Sequence, residues 1–534
     1  MSIIISDLSY HYANQLHLFE NINMSVGLGA KISIVGDNGT GKSTLLQLIA
    51  RKTVPKRGTV HTDSTPYYIP QQITCKRSSI GALLGVAEKL EALATISDGC
   101  VDPAYFDILA DDWDMEYRCR MALDYWGLSS VDLYSDTASL SGGEKTKVML
   151  AALLVHQPNI ILLDEPTNHM DLAGRKKLYD YIQKSKATMI VVSHDISLLN
   201  LLDSTYELSS QGLQFYAGNY DFYKFHKEIE RDALERQISS EQTTLRLARK
   251  KAGLVMERQN KRLNQGAKRK DQLPRILQKE AKDSGEFTAA KLKSQHKELV
   301  DQSSSKLKTL LYRRQSNEEL KLDIKDTMLY EGKRLIVVSG VNFCYPESSL
   351  LWPSVIDLEI RSGERIHLTG DNGSGKTTFL KLLMGQLKPT LGEIYKKDYS
   401  CVYLDQDYSG VNTGETVLAL AQQYNQCHLQ EHEIKLRLNR LLFPKEVWDK
   451  SCNVLSGGER MRLYLCCLMI ANQVPDIFIL DEPTNNLDIS SLSILTHTIK
   501  KYRGTLIVIS HDLHFIHEIG ITRVFEMKKK SLDM

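Results

Sequence analysis

At 534 residues the chain is too long for one hydrophobic core and requires two or three domains. Its 42% hydrophobic and 25% charged residues are ordinary for a globular protein, and no stretch approaches the roughly 20 apolar residues that a membrane-spanning helix needs. Nine cysteines without a Cys-x-x-Cys pair argue against a disulfide scaffold or a cysteine-built metal centre, and fit a reducing compartment. The net charge of +2 hides a division. Residues 231–330 carry 24 Lys/Arg against 14 Asp/Glu, while the remainder carries 43 against 51. A basic middle between mildly acidic ends points to an anionic partner for the middle.

In chain order, Ile3-Ile4-Ile5 lacks a preceding basic segment and reads as a strand, not a signal peptide. Lys31-Ile32-Ser33-Ile34-Val35 predicts a strand that feeds Gly36-Asp37-Asn38-Gly39-Thr40-Gly41-Lys42-Ser43-Thr44, with a helix over 43–50. In that context backbone N–H groups and a helix N-terminus cradle phosphate oxygens. Lys42 is then expected at the β- and γ-phosphates and Ser43 at Mg2+. Tyr12, or its rival Tyr10, is placed to stack on a base. Gln71, or its rival Gln72, follows strand-like Tyr67-Tyr68-Ile69 and offers an amide oxygen to Mg2+ or water. Leu140-Ser141-Gly142-Gly143-Glu144 opens a helix whose N–H groups and Ser141 hydroxyl suit a phosphate. Residues 159–163 and 188–192 are continuous apolar runs, expected as buried parallel strands. They lead to Asp164-Glu165 and Ser193-His194-Asp195. Asp164 is expected to reach Mg2+, Glu165 to polarise an attacking water and His194 to contact the γ-phosphate.

Residues 221–330 change character. Leu234, Ile238, Leu245, Ala248, Ala252 and Val255 form one narrow apolar stripe over 220–263, the mark of a coiled-coil seam. Leu292, Leu299, Leu307, Leu310 and Leu311 repeat it over 288–320, and Gly266, Pro274 and Gly285 punctuate the stretch between. Two long antiparallel helices joined by a tip at about 264–287 are expected. Between 246 and 270 ten basic residues stand against one acid, Glu257: Arg246, Arg249, Lys250, Lys251, Arg258, Lys261, Arg262, Lys268, Arg269 and Lys270. Most charge runs are solvated helix faces, but so lopsided a run favours RNA phosphates.

The first set of motifs then recurs in order. The loop returns as Gly370-Asp371-Asn372-Gly373-Ser374-Gly375-Lys376-Thr377-Thr378, preceded by Tyr345 as the counterpart of Tyr12. Gln406, Leu455-Ser456-Gly457-Gly458-Glu459, Asp481-Glu482 and Ser510-His511-Asp512 follow, with the same roles expected of Gln406, Ser456, Asp481, Glu482, His511, Lys376 and Thr377. The aspartate-to-histidine spacing is 30 residues in both copies, but Gln71 to Leu140 is 69 residues against 49 from Gln406 to Leu455. The first copy therefore carries about 20 extra residues, assigned to an acidic stretch around 97–116. The domains expected are 1–220, a linker over 221–330, and 331–534.

These motifs resemble the ATP-binding cassette superfamily: Walker A, the Leu-Ser-Gly-Gly-Glu signature, Walker B with its glutamate, the D-loop and the switch histidine, twice over. The resemblance implies an α/β fold of two P-loop ATPase domains, each with a helical subdomain, joined by the two-helix linker. It implies ATP and Mg2+ as cofactors, and two composite sites that pair 36–43 with 455–459 and 370–377 with 140–144 within a monomer. Asp164-Glu165-Pro166-Thr167-Asn168-His169-Met170-Asp171, its copy 481–488, and Tyr216-Ala217-Gly218-Asn219-Tyr220-Asp221 resemble the ABC-F family of translation factors, with Met170 in place of the usual leucine. That family implies a cytoplasmic ATPase that binds the ribosomal E site, with its linker tip near large-subunit rRNA, the P-site tRNA and the peptidyl-transferase centre. A subset of the family protects ribosomes from antibiotics, and other members are general translation factors. An energising subunit of a membrane transporter needs no basic hairpin. Chromosome and DNA-repair relatives carry zinc modules or longer coiled coils, and the iron–sulfur ribosome-recycling relative has a cysteine-rich amino terminus. No membrane or DNA partner is expected.

Overall fold

The computed structural model describes residues 2–269 apart from 12–16, 72, 74–77, 169 and 210–211, then 294 and 297–311, then 330–528 apart from 331, 347–348, 407, 412, 472–473 and 486. Tyr12, Gln72, Leu292 and residues 270–287 of the expected tip, Lys270 among them, lie outside the described residues. The chain divides into one unit of Met1–Asp221 with Leu320–Met534 and a second of Phe222–Glu319.

Within the first unit, both copies build the same pair of sheets. In copy one, Ile3–His11 lies between His17–Val26 and Arg57–Thr62 in an antiparallel sheet. The core sheet runs Tyr67–Ile69, Ile160–Asp164, Thr188–Val192, Lys31–Val35, Ser204–Ser209, Gly212–Tyr216, parallel except for its last pair. In copy two, Arg334–Asn342 lies between Ile356–Arg361 and Leu391–Lys396. Its core order is Cys401–Leu404, Ile477–Asp481, Thr505–Ile509, Arg365–Thr369, Arg523–Glu526, all parallel. The apolar runs Ile160–Asp164, Thr188–Val192, Ile477–Asp481 and Thr505–Ile509 are buried along their whole length, because crossover helices cover both faces of a parallel sheet. Ile3, Ile5 and Met24 of the antiparallel sheet share a core with Ile34, Leu45 and Ile190. Val338, Ile360, Phe379 and Ile507 do the same in copy two.

The helical subdomains differ. Copy two passes from Val417–Gln423 to Glu431–Arg440, whereas copy one places Ala87–Ser97 and Pro103–Leu109 between Ile80–Leu83 and Met115–Tyr125. The longer path thus occupies both of those helices, beginning ahead of the 97–116 stretch to which sequence assigned it.

In the second unit, Tyr220–Arg269 is one helix of 50 residues, about 75 Å long at 1.5 Å per residue. It continues past residue 263 and through Gly266, where a break was expected. One glycine costs a helix only about 1 kcal/mol, which the surrounding Gln265, Ala267 and Lys268, good helix formers, offset. Ile238 and Leu245 are buried, and Leu234, Ala248, Ala252 and Val255 half-buried, as a seam requires. Residues 297–311 form the return helix. Leu299 is 55% exposed there and is not part of its seam. The sheltered line runs one residue later, through Val300, Ser303, Ser304, Leu307, Leu310 and Leu311. No helix among the described residues is long and apolar enough to cross a membrane.

Candidate functional site

The glycine-rich loops end the strands Lys31–Val35 and Arg365–Thr369 and start the helices Lys42–Ile49 and Lys376–Met384. Gly36 and Gly370 have φ of 151° and 148°. A Cβ on either would press into a backbone carbonyl, that of Leu208 or Met527, so only glycine lets the loop pass the neighbouring strand. Each loop curls around its own lysine. Lys42 Nζ donates to the carbonyls of Gly36 (2.7 Å) and Asp37 (2.9 Å), and Lys376 Nζ to those of Gly370 (2.7 Å) and Asp371 (3.0 Å). Burial lowers both lysine pKa values, opposed by the carboxylates around them.

Asp164 and Asp481 end the second core strand, and Glu165 and Glu482 follow with φ of 50° and 49°, a left-handed conformation that non-glycine residues seldom adopt. The turn is pinned by the Glu165 N–H on the Val192 carbonyl (2.8 Å) and the Glu482 N–H on that of Ile509 (2.9 Å). It points each glutamate at the switch histidine. The His194 and His511 N–H groups donate to Glu165 Oε2 (3.2 Å) and Glu482 Oε2 (3.3 Å), and each Oε1 stands 3.2 Å from its histidine Nε2. Burial raises Glu165 above the usual carboxylate range and raises Glu482 to about 7. The same burial lowers His194 and His511 to about 3, leaving neutral imidazoles. A buried carboxyl tuned toward neutrality is what general-base chemistry near pH 7 requires.

The surroundings fit a bound magnesium nucleotide. Among the described residues, Asp164 Oδ1, His194 Nδ1, Ser374 Oγ and His511 Nδ1 are buried without a hydrogen-bond partner, and Glu165 Oε1 and Glu482 Oε1 have only the histidine Nε2 atoms beside them. So many unsatisfied polar atoms around two phosphate-type loops are costly unless a polar ligand completes them. Asp164 and Asp481 are raised by burial, an effect partly offset by the hydroxyls of Ser43 and Tyr68 and of Thr377 and Tyr403.

The signatures are helix starts. Ser141 caps Gly142–His156, its Oγ accepting from the Glu144 N–H (3.3 Å) while Glu144 Oε2 accepts from the Ser141 N–H (2.8 Å). Ser456 and Glu459 repeat both bonds at 3.3 and 2.8 Å. Tyr345 is 44% exposed and shares a 2.8 Å hydrogen bond with Thr378 at the start of the loop helix. Gln71 is exposed and Gln406 half-buried. One feature went unread in the sequence: Tyr68 and Tyr403 reach the Asp164 and Asp481 carboxylates at 3.1 Å. Charges of each copy also act on the other. Burial raises Asp37, to which Asp488 adds, while Lys42 and Arg462 of the second signature helix oppose. His511 in turn acts on Asp171.

A family model described as ABC transporter matches residues 19–168 and 354–485, more than half of the chain. The chain belongs to the ATP-binding cassette superfamily, and within it to the F family. ABC transporter F family member 5 of Arabidopsis thaliana is 28% identical over 97% of this chain and 73% of its own length. Ribosome protection protein VmlR of Bacillus subtilis (strain 168) is 28% identical over 97% of this chain and 85% of its own. Among solved structures, archaeal ribosome recycling factor aABCE1, in complex with a ribosomal stalk protein, superimposes with a TM-score of 0.61 over 97% of this chain and 87% of that one. At 21% identity that likeness is one of fold. As a cassette protein of this family, the chain binds ATP and hydrolyses it.

Proposed function

We propose that this F-family ATPase acts on the ribosome from the cytoplasm. Its ATP-bound cassette pair occupies the E site, and its linker tip works beside large-subunit rRNA and the P-site tRNA near the peptidyl-transferase centre, protecting the ribosome against antibiotics that bind there. The carrying observation is the second unit: an unduplicated helix of about 75 Å, far more than pairing two cassettes requires, on which Arg246, Arg249, Lys250, Lys251, Arg258 and Lys261 are exposed. The name of VmlR, aligned along almost the whole chain, supports protection over a general role in translation.

In this reading the loops 36–44 and 370–378, with Tyr345 at the second, hold ATP, and Ser43, Gln71, Asp164, Thr377, Gln406 and Asp481 hold Mg2+. Bound Mg2+ supplies charge neutralisation for phosphoryl transfer. Glu165 and Glu482 take the proton of the attacking water, and His194 and His511 hold the carboxylates in line. Ser141 and Ser456 complete the sites from the opposite copy, supported by the reach of Asp488 and Arg462 to Asp37. The test is sedimentation through sucrose with ATP. Glu165→Gln/Glu482→Gln should lose about 100-fold or more of ATPase activity and co-sediment with ribosomes. A double variant that stays in the free fraction at low salt overturns the ribosomal reading. Loss of drug tolerance in cells expressing it, relative to wild type, separates protection from a general role.

A further inference from the structure

The strand before each glutamine carries a tyrosine three residues ahead of it: Tyr68 before Gln71 and Tyr403 before Gln406. Register then decides where these side chains go. Tyr68 is level with Leu162 and Tyr403 with Ile479 on the parallel neighbour. Asp164 and Asp481 lie two residues beyond those partners. Side chains two apart on a strand share a face, so each ring runs alongside the strand that ends in the aspartate. The hydroxyl arrives at the same atom in both copies, donating to Asp164 Oδ2 at 3.1 Å and to Asp481 Oδ2 at 3.1 Å.

A core tyrosine usually needs some partner for its hydroxyl, and a generic packing role would not select one atom twice. The adjacent residue is not repeated: Tyr67, stacked at 6.1 Å on His156, has Val402 as its counterpart. With Oδ2 on the phenol, Asp164 Oδ1 is buried without a hydrogen-bond partner among the described residues.

We propose that Tyr68 and Tyr403 are positioning residues for magnesium. Each phenol anchors one oxygen of the Walker B aspartate, and the other oxygen is thereby presented to the cation. The inference rests on Asp164 and Asp481 serving the cation, as read above. Hydrogen-bond partners of this kind orient a ligating carboxylate, and their loss typically weakens metal affinity 10- to 100-fold.

The experiment measures binding of a fluorescent, non-hydrolysable ATP analogue to the full chain in EDTA and across a Mg2+ titration. Tyr68→Phe/Tyr403→Phe fills the same apolar space. Its affinity in EDTA should match wild type, while the Mg2+ concentration at half-maximal enhancement should rise about 10-fold. Each single variant should move half of the binding signal. Tyr67→Phe should leave the curve in place, and melting temperatures report whether each variant is folded. An unchanged Mg2+ midpoint, an equal loss in EDTA, or the same shift in Tyr67→Phe overturns the proposal. Asp164→Asn/Asp481→Asn is the reference: if it leaves the Mg2+ response intact, the aspartate reading itself fails. If it abolishes the response while the tyrosine variants do not change it, only the positioning role falls.

Discussion

Ser141 shows how much chemistry one side chain carries. Its hydroxyl accepts the Glu144 N–H and donates to Glu144 Oε2 at 2.7 Å, so it closes a capping box at the start of a 15-residue helix. In the proposed site it also serves phosphate across the cassette pair. The two duties separate by substitution. Ser141→Ala should lower stability by about 1 kcal/mol, read as a shift of the denaturation midpoint, and should also slow ATP turnover. Ser141→Asn should restore most of the stability, because asparagine caps well, without restoring turnover. Equal recovery of both would confine Ser141 to capping. This residue was legible in sequence, since Ser-x-x-Glu before an apolar run is a helix start whatever else it does. Tyr68 and Tyr403 were not. An aromatic residue in a strand reads as core, and only the register to the next strand reveals where its hydroxyl lands.

Helices and strands were readable in unequal degree for a physical reason. Four-residue and longer apolar runs that end in Asp-Glu or Ser-His have no alternative but a doubly covered strand, and all of them fold so. The linker is governed by weaker local terms, so Gly266 failed to stop a helix and Leu299 fell off the seam. Contacts between elements were less visible still. Asp171 caps the helix Leu172–Lys184 through the Gly174 N–H (2.8 Å) and accepts from Lys147 of the signature helix (3.0 Å). In copy two Asp488 caps its helix through the Ser491 N–H (2.8 Å), and the charge of Arg462 on the signature helix helps to hold its pKa down. Burial alone would raise Asp171. The Gly174 N–H and Lys147 outweigh it, and its pKa sits below the usual carboxylate value. A depressed folded-state pKa means stability that is present above the unfolded value, about 3.9, and lost as pH falls through the folded one. Asp171→Asn should therefore be less stable than wild type near neutral pH, and the gap in melting temperature should narrow as pH falls below about 3.9. A gap that persists in acid would show that packing, not charge, ties these helices together.

At the scale of the molecule, the repeat is nearly symmetric in motif and sheet, which is why the fold could be read from one copy and checked against the other. The seam between the copies breaks that symmetry. Arg175, eleven residues after Asp164, corresponds to Leu492 in copy two. It is buried and pairs with Asp195 at 3.3 Å, where Tyr179 also donates. Its charge reaches across to the second copy: Asp512 is raised first by burial, then by Asp195, and Arg175 opposes. One cation thus serves buried aspartates from both copies, where the short helices Ile196–Leu199 and Leu513–Glu518 pack together. Removing one member of a buried charge set leaves the others uncompensated, at a cost of about 3 kcal/mol. Arg175→Leu, which makes copy one match copy two, should lower the denaturation midpoint accordingly. Asp512→Asn keeps the cap on the Phe515 N–H (3.0 Å) and removes one of the stranded charges. In the Arg175→Leu background it should recover at least about 1 kcal/mol, a coupling that independent sites would not show. Strict additivity in that cycle would place Arg175 with Asp195 alone and leave the seam to be held by apolar packing.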